Sequence, residues 1–184
     1  MAELVIRSAG RAVQLALEEA NRAIIDAAQA QATGRRMGTT AVLAVQQAGE
    51  VYVAGVGDSR AYLVRGNRVE QLTVDHTVAD ALQRNGTLTA DQARTSPWRN
   101  VLYRFLGCAE MTEGAEVRPF APRAGDRLLL ATDGLTNHVS ADDLVKGAGQ
   151  YRDPQEWVNV LVQLALERGS RDNVTCVVIS FDAE

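Results

Sequence analysis

An α+β fold is what the sequence predicts, on three observations. Residues 3–32 carry a helical apolar period, residues 39–72 are β-branched runs broken by glycine turns, and Leu128-Leu129-Leu130-Ala131 is a short apolar run met at once by Thr132-Asp133-Gly134. The last run is too short for a core helix and reads as a strand covered on both faces. At 184 residues the chain suits one domain spanning 1–184, since no repeat, linker or low-complexity stretch divides it.

Taken in order, Leu4, Val5, Ala9, Val13, Leu17, Ala20, Ile24 and Ile25 recur at three- and four-residue steps and predict a long amphipathic helix. Gly10 is a candidate break in it and Gly34 a candidate C-terminal cap. Residues 39–45 and 50–56 form two strands around a turn at 46–49, and residues 61–64 and 69–72 a second pair around Gly66-Asn67, so the middle of the chain reads as an antiparallel meander. Residues 77–84 predict a short helix capped by Asp75 or Thr77 and closed by Asn85-Gly86. Residues 87–100 are polar, carry Pro97 and predict a surface flap with one helical turn at 89–93. Strands at 116–120 and 127–132 follow. A helix from Ser140 to Lys146, stopped at Gly147, and a longer one from Asp153-Pro154 to Arg168-Gly169 come next, and a strand over 174–181 closes the chain.

Composition excludes several function classes. With 46% hydrophobic and 23% charged residues the chain is neither disordered nor membrane-spanning, and its formal charge of -4 gives no basic stripe for nucleic acid. Residues 1–7 show no secretory signal, so cytoplasm is the expected compartment. Cys108 and Cys176 lack metal-ligand spacing and read as buried free thiols.

Three acids share one kind of position: Asp58 follows the strand ending at Val56, Asp133 follows the strand ending at Thr132, and Asp172 stands just before the final strand. Should those strand ends meet, three carboxylates converge at one rim, and their repulsion calls for a cation. Oxygen donors without a cysteine or histidine cluster point to Mg²⁺ or Mn²⁺ rather than Zn²⁺. Each acid alone is equally a turn former or cap.

The wording around the acids adds a resemblance. Met37-Gly38-Thr39-Thr40, Val56-Gly57-Asp58-Ser59-Arg60-Ala61-Tyr62, Leu72-Thr73-Val74-Asp75-His76-Thr77, Ala131-Thr132-Asp133-Gly134-Leu135 and Ser170-Arg171-Asp172-Asn173-Val174-Thr175 occur in this order. Over about residues 12–181 the chain resembles the bacterial-type PPM, or type 2C, metal-dependent Ser/Thr protein phosphatases. The resemblance implies two antiparallel sheets packed face to face with helices outside. It also implies a binuclear Mn²⁺ or Mg²⁺ centre and hydrolysis of phosphoserine and phosphothreonine proteins, the products of Ser/Thr kinases, by a metal-bound water. Asp133 and Asp172 match metal ligands, and Asp58 matches the acid of a third, weaker metal site. His76 matches a block residue but reads as a packed turn histidine.

The family's opening strands, with a phosphate-binding arginine and an Asp-Gly-x-Gly-Gly block whose aspartate bridges the metals, have no counterpart here. The expectations are therefore an N-terminally incomplete domain, no assignable catalytic side chain, and self-association through exposed sheet edges. A non-catalytic regulatory or binding domain of the same fold is the alternative to the enzyme.

Overall fold

Two sheets are built from strands that alternate between a shared inner face and a helix-covered outer face. In the computed structural model, residues 2–31, 37–109 and 115–182 are described, with the side chains of the first helix from Ala9 onward. The first sheet has the order β1-β2-β5, from Ala41–Gln47, Glu50–Val56 and Val117–Phe120. The second has the order β4-β3-β6-β7, from Arg68–Gln71, Arg60–Arg65, Arg127–Ala131 and Cys176–Ser180. Every pairing is antiparallel.

Three apolar layers follow from that arrangement. Val51, Val53, Ala61, Leu63, Leu72 and Leu128 fill the space between the sheets. Helix α1 (Ala2–Ala30) lays Ala9, Val13 and Leu17 on Tyr52, Ala54 and Val56 of the first sheet. On the far side α5 (Ala141–Gln150) and α6 (Pro154–Glu167) bring Leu144, Trp157, Leu161 and Ala165 against Val64, Leu129 and Ala131. The result is an α-β-β-α sandwich. Successive residues of a strand point to opposite faces, so Leu128 joins the inner layer while Leu129 faces the helices, both fully buried. That is why this strand reads as an unbroken apolar run. The flap carries α2 (Val78–Arg84) and α3 (Ala90–Thr95). No helix among the described residues is long and apolar enough to cross a membrane.

Several sequence expectations are corrected. The middle of the chain is not a meander: β1-β2 and β3-β4 belong to different sheets, and the chain crosses between them at residues 57–59, where Gly57 has a φ of 103°. Gly10 does not split α1, which runs unbroken past it. The Gly34 cap lies outside the described residues. The first hairpin turn shrinks to Ala48-Gly49, both at positive φ, as a two-residue turn between right-twisted strands requires. The α2 cap is Thr77, whose hydroxyl accepts from the Asp80 N–H, and not Asp75. A helical turn absent from the sequence reading, α4 (Asp133–Thr136), begins at the β6 exit.

Helix α5 also runs through Gly147 to Gln150 instead of stopping before it. A Cβ at Gly147 would lie 2.3 Å from Trp157 Nε1 and 2.8 Å from Trp157 Cδ1. The glycine is thus the notch that lets α5 seat on the fully buried indole of α6. An exposed helical Gly→Ala change stabilises by about 1 kcal/mol, but here it forces a buried ring to move. Gly147→Ala is expected to lower unfolding free energy by about 1–3 kcal/mol, read from urea denaturation; an unchanged or raised midpoint would show that the notch is not needed.

Candidate active site

The sheet ends place the acids by backbone hydrogen bonding. At the β6 exit, the Thr132 N–H donates to the Thr175 carbonyl at 3.0 Å, and the Thr175 N–H returns to Thr132 Oγ1 at 3.1 Å. Ser170 Oγ donates to the Gly134 carbonyl at 2.8 Å. These bonds lash the Asp133-Gly134 turn to the loop that carries Asp172. The approach is tight: a Cβ on Gly134 would fall 2.3 Å from the Asn173 carbonyl oxygen and 3.5 Å from Asp172 Cβ. Asp133 and Asp172 thereby line one cavity of about 630 Å³. The Asp172 carboxylate is further pinned by the Asn173 N–H at 2.7 Å.

Asp58 arrives from the other direction, on the crossover between β2 and β3. Burial, then the charge of Asp133, pushes its carboxyl above the usual carboxylate range. The crossover is held by His76. The Gly57 N–H donates to His76 Nδ1 at 3.0 Å, and the His76 N–H donates back to the Gly57 carbonyl at 2.9 Å. Tyr103 meets the imidazole edge-on with centroids 5.6 Å apart. His76 is therefore the packed turn histidine that its sequence position suggests.

Arg60 and Asp75 form the rigid floor beside these acids. Arg60 Nε donates to both Asp75 oxygens at 2.9 Å and Nη2 to Oδ2 at 2.6 Å, while Gln71 Nε2 donates to Asp75 Oδ1 at 2.8 Å. The pair lies mostly out of water, with side chains 25% and 8% exposed. Fork geometry of this kind fixes direction as well as distance. Sequence reading missed the partnership because fifteen residues separate the two and neither position announces the other. It also missed Arg94, Arg99 and Arg171, which line the cavity with the acids.

Two antiparallel sheets with helices outside match the fold of PPM phosphatase structures, and sequence comparison agrees. The pattern defining the family described as protein phosphatase 2C matches residues 4–84 and 119–174. The chain is 35% identical over 164 residues to the serine/threonine phosphatase stp of Listeria welshimeri, covering 89% of this chain and 64% of that protein. The S. agalactiae serine/threonine phosphatase superposes with a TM-score of 0.84 at 30% identity, over 92% of this chain and 69% of that one. The catalytic domain of the serine threonine protein phosphatase PstP, in complex with two manganese ions, superposes with a TM-score of 0.74 at 31% identity, over 86% of this chain and 65% of that one. The chain spans about two thirds of the length of these relatives. It belongs to the protein phosphatase 2C family.

The donors present fit part of a metal centre. Asp133 and Asp172 make no ion pair among the described residues, and the Asp58 carboxyl, raised first by burial and then by the charge of Asp133, is one that a nearby cation would favour in its charged form. All are oxygen donors, as a hard divalent ion prefers. Among the described residues no group of three or more His, Cys, Asp or Glu forms a cage ready to hold a metal, so the three acids stand as a pair with an outlying third.

His76 gives this region a pH dependence. Burial, followed by the charges of Arg104 and Arg84, pushes its pKa down to about 4. An unfolded histidine titrates near ~6.5, so between the two values the unfolded chain binds more protons than the folded one. The stability due to neutral His76 is full above about pH 6.5 and is lost as pH falls toward the folded value, then levels off. The His76 ring resonance is expected to move only near pH 4 by NMR; a midpoint close to 6.5 would mean that the ring is not held neutral against Gly57.

Proposed function

We propose that the chain is a phosphoserine/phosphothreonine protein phosphatase domain in which Asp133 and Asp172 hold Mn²⁺ or Mg²⁺ and Asp58 serves as an auxiliary ligand. The observation that carries this reading is the backbone lashing of Asp133-Gly134 to Asp172-Asn173 on the wall of an arginine-lined cavity. Two aspartates whose backbones are held this close together lose little freedom on taking up a cation. When bound, the metal supplies an activated water and offsets charge on the phosphate oxygens. The chain's own residues do the rest: Arg60 is fixed by Asp75 at the cavity wall, and Arg99 and Arg171 present guanidiniums to an incoming phosphate.

On this reading residues 1–184 act as one domain, in the cytoplasm, on phosphoproteins made by Ser/Thr kinases. The reading also includes self-association. Strands β1 and β7 are outer strands of their sheets, with Val45 41% and Val177 52% exposed along them. Sedimentation velocity across micromolar concentrations is expected to show a concentration-dependent larger species, and a constant monomer would remove this part of the proposal.

Metal binding and turnover are tested together. Millimolar Mn²⁺ is expected to raise the melting temperature by linkage and to support hydrolysis of a phosphothreonine peptide that chelator abolishes. Asp133→Ala should remove the melting shift, and Asp172→Ala should reduce kcat/KM by at least roughly 10²-fold, as loss of a metal ligand or its support does. A melting shift without hydrolysis of either a peptide or a small aryl phosphate would favour the non-catalytic binding domain instead.

A further inference from the structure

The cavity over the acids is charged out of proportion to the molecule. The whole chain carries a formal net charge of -4, yet this one cavity is lined by Arg60, Arg94, Arg99 and Arg171 against Asp133 and Asp172. Arg60 is committed to Asp75 in a mostly buried fork. Among the described residues, the Arg99 guanidinium reaches only the Ser96 carbonyl, at 3.4 Å. Arg94 donates to Asp91 at 2.5 Å, but in a pair whose side chains are 76% and 85% exposed. Solvent-screened pairs one helical turn apart contribute little and exchange readily for a better partner.

The backbone beneath Arg94 is firm, while its side chain is held only by the exposed pair with Asp91. Helix α3 is closed by a capping box between Thr89 and Gln92, and the adjacent Ala93 is buried. Arg94 sits in the last turn of that helix and also borders a smaller cavity of about 140 Å³ beside Arg60 and Asp75. It lies between the two stretches that match the family pattern, so the family match assigns it nothing.

Charge balance then indicates what Arg94 is for. A divalent cation against Asp133 and Asp172 neutralises those acids, and a phosphomonoester brings about two negative charges. Arg99 and Arg171 meet that demand between them, which leaves Arg94 with its exposed partner Asp91 alone. The main cavity is also far larger than one phosphate needs, within the ~300–1,000 Å³ range of sites that enclose a sizeable ligand.

We propose that Arg94 is a specificity-determining residue that reads a second anionic group, a carboxylate or a further phosphate, beside the phosphorylated residue of the substrate. The site accordingly selects acidic phosphopeptides. This rests on the phosphatase reading above, and the test separates the two.

Three phosphothreonine peptides of equal length are compared, with neighbours that are glutamine, glutamate or a second phosphorylated residue. Binding is measured with the scissile group replaced by its non-hydrolysable phosphonate, and kcat/KM with Mn²⁺ on the natural phosphate. One charge-assisted hydrogen bond corresponds to a preference of about tenfold for the anionic neighbours. Arg94→Gln should level the peptides and Arg94→Glu should invert the order, while turnover of a small aryl phosphate stays unchanged. Preference for the doubly phosphorylated peptide alone identifies the second anion as phosphate, and preference for both as any carboxylate or phosphate. Charge-selective binding that Arg94→Gln abolishes, without turnover of any peptide, upholds the Arg94 assignment and sinks the phosphatase reading. Turnover or binding with no preference in the wild-type chain, or a preference that survives Arg94→Gln, overturns the assignment.

Discussion

The apolar layer between the two sheets is the contact on which the rest depends. Val51 and Val53 from one sheet meet Ala61, Leu63 and Leu128 from the other, all nearly inaccessible to water. Each of the valine and leucine side chains contributes about 1.5–3 kcal/mol by burial, and the layer can close only if the chain crosses between sheets without a long loop. The crossing occupies residues 57–59 alone. It leaves Asp58 on the rim of the sandwich, and antiparallel pairing within the second sheet brings the end of β6 beside the start of β7. The functional rim is a by-product of how two sheets share one core.

Rigidity at that rim is distributed over several independent ties. His76 clamps the crossover by exchanging two hydrogen bonds with Gly57. Thr132, Thr175 and Ser170 clamp the Asp133 and Asp172 segments together. Asp75, available for capping a helix, is instead drawn into a fork with Arg60. That choice makes sense energetically, because Thr77 caps α2 with a neutral hydroxyl, whereas a buried guanidinium needs a carboxylate. The Asp58 carboxyl is held above the usual range by burial first and by the charge of Asp133 second.

The flap works differently from this clamped floor. Helices α2 and α3 are locally capped and pack on one another, and Arg84 ties α2 to Tyr103 at 2.9 Å. Arg94 of α3 and Arg99 just beyond it line the cavity and are only weakly engaged. A firm backbone carrying loosely paired cations suits the anion recognition proposed for it, while the proposed metal ligands stay with the sheet ends.

Much of this was legible in the sequence because local physics decides it. The 3.6-residue period of α1, the β-branched runs of β1 to β4, Pro154 at the start of α6 and the apolar run of β6 each specify their element within a few residues. The ordered blocks around Asp58, Asp133 and Asp172 likewise carried the family. What the sequence could not decide is long-range. Whether β2 pairs with β3 or hands over to a second sheet depends on which apolar faces can be buried together, not on the turn between them. Gly147 reads as a helix stop until Trp157 is placed against it. The pairing of Arg60 with Asp75, and the gathering of Arg94, Arg99 and Arg171 around two aspartates, join residues as distant in sequence as Arg94 and Asp172. Turn chemistry and periodicity act over a few bonds, whereas charge neutralisation and close packing act through space, so only the tertiary structure could settle them.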